Sequence, residues 1–192
     1  MKAIALPNRQ LGATALFVLT LLTGGYVHAE EPSIKTPATI SPGAWISAGI
    51  EHQSEIDCPA NQVMTGRKHH GDEEEETSYK CGKINQFGEL TTVKHKEYSP
   101  IKEAGSRFKC DTDTVMTGRE HEGDENGQTT YTCAEVVDSW GNKMHVTNNA
   151  EKHGPYKESS HEFECPANQA ITGRDHDGDE NGNTSYMCAR LW

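Results

Sequence analysis

Short apolar and β-branched runs bounded by glycine and acidic residues recur along this chain, and no window sustains the period of an amphipathic helix. Val63-Met64-Thr65 and Thr77-Ser78-Tyr79-Lys80-Cys81 have the residue types of short strands, and the Gly71-Asp72-Glu73 stretch between them is turn chemistry. Phe87-Gly88 and Trp140-Gly141 read as aromatic hairpin corners. The pattern predicts an all-β fold with three or four short strands per unit.

The units repeat. CPANQVMTGRKHHGDEEEETSYKC (58–81), CDTDTVMTGREHEGDENGQTTYTC (110–133) and CPANQAITGRDHDGDENGNTSYMC (165–188) align without gaps. An apolar residue stands two before each first cysteine (Ile56, Phe108, Phe163), and Pro100-x-Lys102-Glu103 and Pro155-x-Lys157-Glu158 precede copies two and three. The equal separation within Cys58/Cys81, Cys110/Cys133 and Cys165/Cys188 predicts one disulfide per copy.

Residues 1–29 read as a signal peptide cleaved after Ala29: Lys2 and Arg9 precede the apolar stretch LGATALFVLTLL, and Val27-His28-Ala29 fits a small-residue cleavage site. This predicts a secreted or periplasmic protein, the setting in which cysteines pair. Residues 30–44, with Pro32, Pro37 and Pro42, read as a flexible leader, followed by one domain over 45–192 with repeats at about 45–99, 100–154 and 155–192. Copy three stops soon after Cys188, so the stretch Trp45 to Asp57 is expected to supply its missing strands. That closure would leave a pseudo-threefold body without free sheet edges, either a β-prism or a β-trefoil.

Composition narrows the function. The formal charge of −11 becomes −13 when Lys2 and Arg9 leave with residues 1–29. Such a chain lacks the basic surface by which proteins neutralise nucleic-acid phosphates. No segment after residue 29 approaches the length of a membrane-spanning helix, so no membrane insertion is expected.

Cys165-Pro166, Thr172-Gly173, Gly178-Asp179-Glu180, Thr184 and Cys188 make the repeat resemble that of the vitelline membrane outer-layer protein family. Phe163-x-Cys165-Pro166 is similar to the dermatopontin repeat. The first resemblance implies three copies in a β-prism, with acidic residues near a sugar-binding region, and so favours the β-prism over the β-trefoil.

The same polar residues recur in every copy: Arg67, His69, Asp72, Glu73, Thr77 and Tyr79; Arg119, His121, Asp124, Glu125, Thr129 and Tyr131; Arg174, His176, Asp179, Glu180, Thr184 and Tyr186. Around a glycine turn they offer hydrogen-bonding groups and an aromatic face, the chemistry of a glycan site. Equally, Arg and Asp would pair across the turn and Tyr would pack on the disulfide. Asp177-x-Asp179-x-Asn181-Gly182 matches the first half of a calcium loop, but Cys188 stands where the bidentate Glu is needed. Calcium is thus a candidate ligand at Asp177, Asp179 and Asn181, and no other cofactor is implied. His69, His121 and His176 would meet only if the three turns converged on the threefold axis.

Adjacent carboxylates on one turn do not make a glycosidase pair, and no nucleophile elbow is present, so no enzyme is expected. The leading expectation is an exported lectin-like protein that recognises a glycan or other cell-surface ligand through its Thr-Gly-Arg-x-His-x-Gly-Asp-Glu turns. The alternative is an exported protein-binding factor, an inhibitor or host-interaction protein, whose acidic surface meets a basic protein.

Overall fold

The computed structural model describes residues 36–124, 126–147, 149–179 and 181–192, all within the compact unit Lys35–Trp192. The expected signal peptide and residues 30–35 of the expected leader lie outside the described residues. In chain order the strands are β1 (Thr39–Ile50), β2 (Gln53–Asp57), β3 (Gln62–His70), β4 (Glu76–Asn85), β5 (Thr91–Glu97), β6 (Ile101–Lys102) and β7 (Arg107–Lys109). They continue with β8 (Thr114–Glu122), β9 (Gln128–Val137), β10 (Glu151–Lys157), β11 (Ser160–Glu164), β12 (Ala170–Asp177) and β13 (Asn183–Ala189). The fold is all-β, as the residue pattern predicts.

Each copy contributes the central hairpin of one sheet, in the orders β1-β4-β3-β11, β2-β8-β9-β5 (with β6 also on β9) and β10-β13-β12-β7. The expected disulfides Cys58–Cys81, Cys110–Cys133 and Cys165–Cys188 are all formed. Each holds the segment before a hairpin to the hairpin's second strand. On a loop-entropy basis each contributes about 3 kcal/mol.

One strand of every sheet comes from a different copy. β2 leads into copy one but pairs with β8 of copy two. β7 leads into copy two and pairs with β12 of copy three, while β11 leads into copy three and pairs with β3 of copy one. The register is equivalent in all three: Ile56 lies opposite Arg119, Phe108 opposite Arg174, and Phe163 opposite Arg67. The exchange is cyclic, so no copy completes its sheet alone.

Two expectations are corrected. The stretch Trp45 to Asp57 does not complete copy three: its β1 part pairs with β4 of copy one, and β2 pairs with β8. The outer strands of the copy-three sheet are instead β10, just upstream of its own hairpin, and β7, from the stretch that leads into copy two. The expected leader also gives way, since β1 begins at Thr39 and runs on through Trp45 to Ile50. Pro42 is tolerated because β1 is an edge strand with a register shift between Pro42 and Trp45, where no ladder donor is required.

Two apolar clusters fill the interior. One gathers Met64, Met116 and Ile171 with Tyr79, Tyr131 and Tyr186 and with Ile56, Phe108 and Phe163. Phe108 stacks on Tyr131 at 4.1 Å and Phe163 on Tyr186 at 4.6 Å between ring centroids. The other gathers Val63, Val115, Ala170, Ile84, Val136 and Leu191 toward the strand ends remote from the Gly-Asp turns. There the Ala38 N–H donates to the Leu191 carbonyl, tying the two ends of the described chain together.

Candidate functional site

In each hairpin the alternation of the strand turns Arg and the His two residues on toward the interior: Arg67 and His69, Arg119 and His121, Arg174 and His176 are all buried. Three carboxylates meet them there. Glu51, Glu103 and Glu158, each seven residues before the first cysteine of its copy, are buried to 7%, 5% and 5% exposure.

Arginines and glutamates alternate in a closed ring. Arg67 Nη2 lies 2.9 Å from Glu51 Oε1, and Arg119 Nη2 lies 3.0 Å from the same oxygen. Arg119 continues to Glu103 at 3.2 Å, and Glu103 to Arg174. Arg174 Nη2 lies 3.2 Å from Glu158 Oε2, and Glu158 returns to Arg67. The tyrosine hydroxyls brace the ring: Tyr79 accepts from Arg67 Nε at 3.0 Å and from Arg119 Nη1 at 2.9 Å, and Tyr131 accepts from Arg174 Nη1 at 3.3 Å.

The electrostatics follow from this geometry. Burial opposes ionisation of Glu51, but Arg67 and Arg119 outweigh it and hold the carboxyl at about 2. Burial is likewise overcome at Glu103 by Arg174 and Arg119, and at Glu158 by Arg67 and Arg174; both lie well below the usual carboxylate range. His121 is lowered to about 4 by burial and by Arg119, and His69 is lowered by burial and by Arg67. At neutral pH those two imidazoles are therefore uncharged.

Above the ring, the three histidines and three glutamates line one cavity of about 30 Å³, with Glu73, Asp124 and Asp179 also in its wall. The turns thus bring one His from every copy to a common pocket. His176 Nε2 donates to the Gly178 carbonyl at 3.0 Å, and His121 Nδ1 lies 2.8 Å from Thr129 Oγ1, which itself donates to Glu103. His69 Nδ1, His176 Nδ1 and Glu51 Oε2 are buried with no hydrogen-bond partner.

The residues expected to meet a glycan are divided by this arrangement. Arg67, Arg119, Arg174, Tyr79, Tyr131 and Tyr186 are buried in the ring, so they hold the fold and present nothing to a surface ligand. His69, His121 and His176 reach only the small cavity. Asp72, Asp124 and Asp179 accept the backbone N–H two residues on, at 3.1, 2.8 and 2.8 Å, which closes each turn. Glu125 and Glu180 lie outside the described residues.

For the calcium candidates Asp177, Asp179 and Asn181, Asp179 takes the Asn181 N–H. Among the described residues, no group of three or more His, Cys, Asp or Glu side chains is arranged to hold a metal ion.

The outer faces of the sheets differ. In the first sheet Glu162 stands opposite Lys68, and in the third Asp175 stands opposite Arg107. At the same repeat positions the second sheet sets Glu120 opposite Glu55, with Asp57, Glu97 and Glu122 on or beside that face. All five carboxylates are exposed, and none forms an ion pair among the described residues. Phe87 and Trp140 project from turns at the far strand ends, 83% and 76% exposed. The Trp140 turn is fixed by Asp138, whose Oδ1 accepts from the Trp140 and Asn142 N–H groups at 2.9 and 2.8 Å.

Sequence reading missed Glu51, Glu103 and Glu158 as partners of the repeated arginines. Their constant distance from the cysteines is the signal that would have found them; only copies two and three share the Pro-x-Lys-Glu motif. The acidic face left no signal, because its rows are assembled from β2, β8 and β5 of different copies.

Comparison with protein-family models, with curated proteins and with solved structures gives no match. Among the described residues, no helix is long and apolar enough to cross a membrane.

Proposed function

We propose that this chain is an exported, non-catalytic binding protein that engages a basic protein through the outer face of its second sheet. The observation that carries this reading is the set Glu55, Asp57, Glu97, Glu120 and Glu122: exposed carboxylates without a cation paired to them among the described residues, two of which, Glu55 and Glu120, stand opposite each other where the other two sheets set opposite charges face to face. Like charges directly opposite in a sheet cost stability, and two of the three copies avoid that cost. A basic partner supplies the missing counter-charge. Three disulfides and the Lys2/Arg9-plus-apolar N-terminus support export to an oxidising compartment. Three strand-sharing sheets support a β-prism, in line with the resemblance to the vitelline membrane outer-layer family.

Titration of the purified mature chain with a panel of basic proteins and size-matched acidic ones tests the reading. A one-to-one complex with a basic member is expected, weakening steeply between about 50 and 300 mM salt as the screening length shrinks roughly twofold. Equal binding to acidic proteins, or no binding to any basic one at low salt, contradicts it.

A second reading rests on Phe87 and Trp140. Exposed rings on turns flanked by Gln86, Asn142 and Asp138 have the aromatic and hydrogen-bonding character of a sugar platform. It keeps the glycan expectation but moves it away from the repeated turns. Glycan-array binding lost in Phe87→Ala/Trp140→Ala, with the acidic face intact, would favour it over the first.

A further inference from the structure

The axial cavity has a feature that the ring does not explain. His69 Nδ1, His176 Nδ1 and Glu51 Oε2 all belong to residues in its wall, are buried, and lack any donor. His176 gives its Nε2 proton to the Gly178 carbonyl, and His69 is held by a backbone bond to Glu76, so the remaining nitrogen of each ring is left as an acceptor. His176 Nδ1 also stands 3.5 Å from Glu158 Oε2, the oxygen that Arg174 Nη2 approaches to 3.2 Å. Unpaired buried acceptors of this kind are costly, and a donor-rich cation relieves them. Glu73, Asp124 and Asp179 in the wall add negative charge.

We propose that this cavity takes a primary ammonium group. An ammonium offers three N–H donors and no acceptor, matching three orphaned acceptors, and at about 30 Å³ the cavity suits a group the size of one water molecule rather than a guanidinium. A metal ion fits less well, since the described side chains do not form a ligand set as they lie. The source is either a free alkylammonium or a lysine side chain of the basic partner; the second source rests on the binding function proposed above. Continuity favours it, because β8 carries Glu120 and Glu122 of the acidic face directly into the turn of Asp124 at the cavity wall.

The histidine Cε1 resonances of the mature chain, followed during addition of n-propylammonium, test the ligand chemistry. Saturable shifts of His69 and His176 are expected. Trimethylpropylammonium, which has the charge without N–H donors, and propanol should both leave them unmoved. Asp124→Asn/Asp179→Asn, changed in the turns at the cavity mouth, should weaken the response by up to about fivefold. Equal shifts with trimethylpropylammonium, or none with propylammonium, overturn the proposal, as does a preference for zinc over the amine.

For the source, the basic partner is guanidinated so that each lysine keeps its charge but loses its primary ammonium. A loss of affinity of about tenfold or more assigns the cavity to a partner lysine. Unchanged affinity leaves the acidic-face reading intact and restricts the cavity to free amines. Failure of the unmodified partner to bind at all counts against the acidic face alone.

Discussion

The interior ring and the outer face of the second sheet are both built from charged residues, yet they obey opposite rules. Inside, Arg67, Arg119 and Arg174 alternate with Glu51, Glu103 and Glu158, and each copy is nearly interchangeable with the next. Outside, equivalent positions carry Lys68, Glu120 and Asp175, or Glu162, Glu55 and Arg107. A ring of ion pairs drawn from all three copies demands equivalent contributions from each, so repetition there marks structure. A function exercised on one side needs no repetition, and divergence between copies is where it shows.

The largest expected effect comes from opening the ring. Arg119→Met leaves Glu51 and Glu103 buried with one partner fewer and should cost about 3–5 kcal/mol in denaturant unfolding. A loss below about 1 kcal/mol would mean that the ring does not hold the sheets together. Replacing Cys110 and Cys133 by Ala should cost about 3 kcal/mol by the same measurement, and through the shared strands it should loosen the other two sheets together with its own.

Acid sharpens the contrast because the ring titrates and the face is already in water. His121 and His161, buried and beside Arg119 and Arg67 respectively, are both lowered to about 4 from an ordinary 6.5. The unfolded chain therefore takes up protons first as pH falls, and stability declines from about 6.5 down to 4. Glu51, at about 2 against 4.5, adds a second decline between those values. Thermal melting from about pH 8 to pH 3 should show a midpoint falling from about pH 6.5 onward; a flat profile down to about pH 4 would contradict the burial of neutral histidines.

Least in energy, Glu120→Lys should stabilise the fold by about 0.2–1 kcal/mol, since it replaces the Glu55–Glu120 opposition with the pairing of the other sheets. Differential scanning of the single variant against wild type reads the sign.

The gapless alignment and equal cysteine spacing made the disulfides, the all-β class and the three units legible in the chain. The turn residues were legible too, since Asp72, Asp124 and Asp179 close turns as their type predicts. What could not be read was which copy each strand serves. β2, β7 and β11 carry the same Ile or Phe signature before the cysteine, and nothing local says that they pair with another copy's hairpin. That exchange buries Arg and Tyr, and with it the repeated residues pass from an expected sugar site to a structural ring. The N-terminal stretch was misassigned for the same reason.

The most direct measurement is the affinity and melting temperature of a Glu55→Gln/Glu120→Gln/Glu122→Gln variant, taken with the basic protein that binds the wild type. A face used for binding predicts a melting temperature equal to or above wild type together with an affinity loss of about tenfold or more. Unchanged affinity in the folded variant would contradict it and return the search for a partner surface to Phe87 and Trp140.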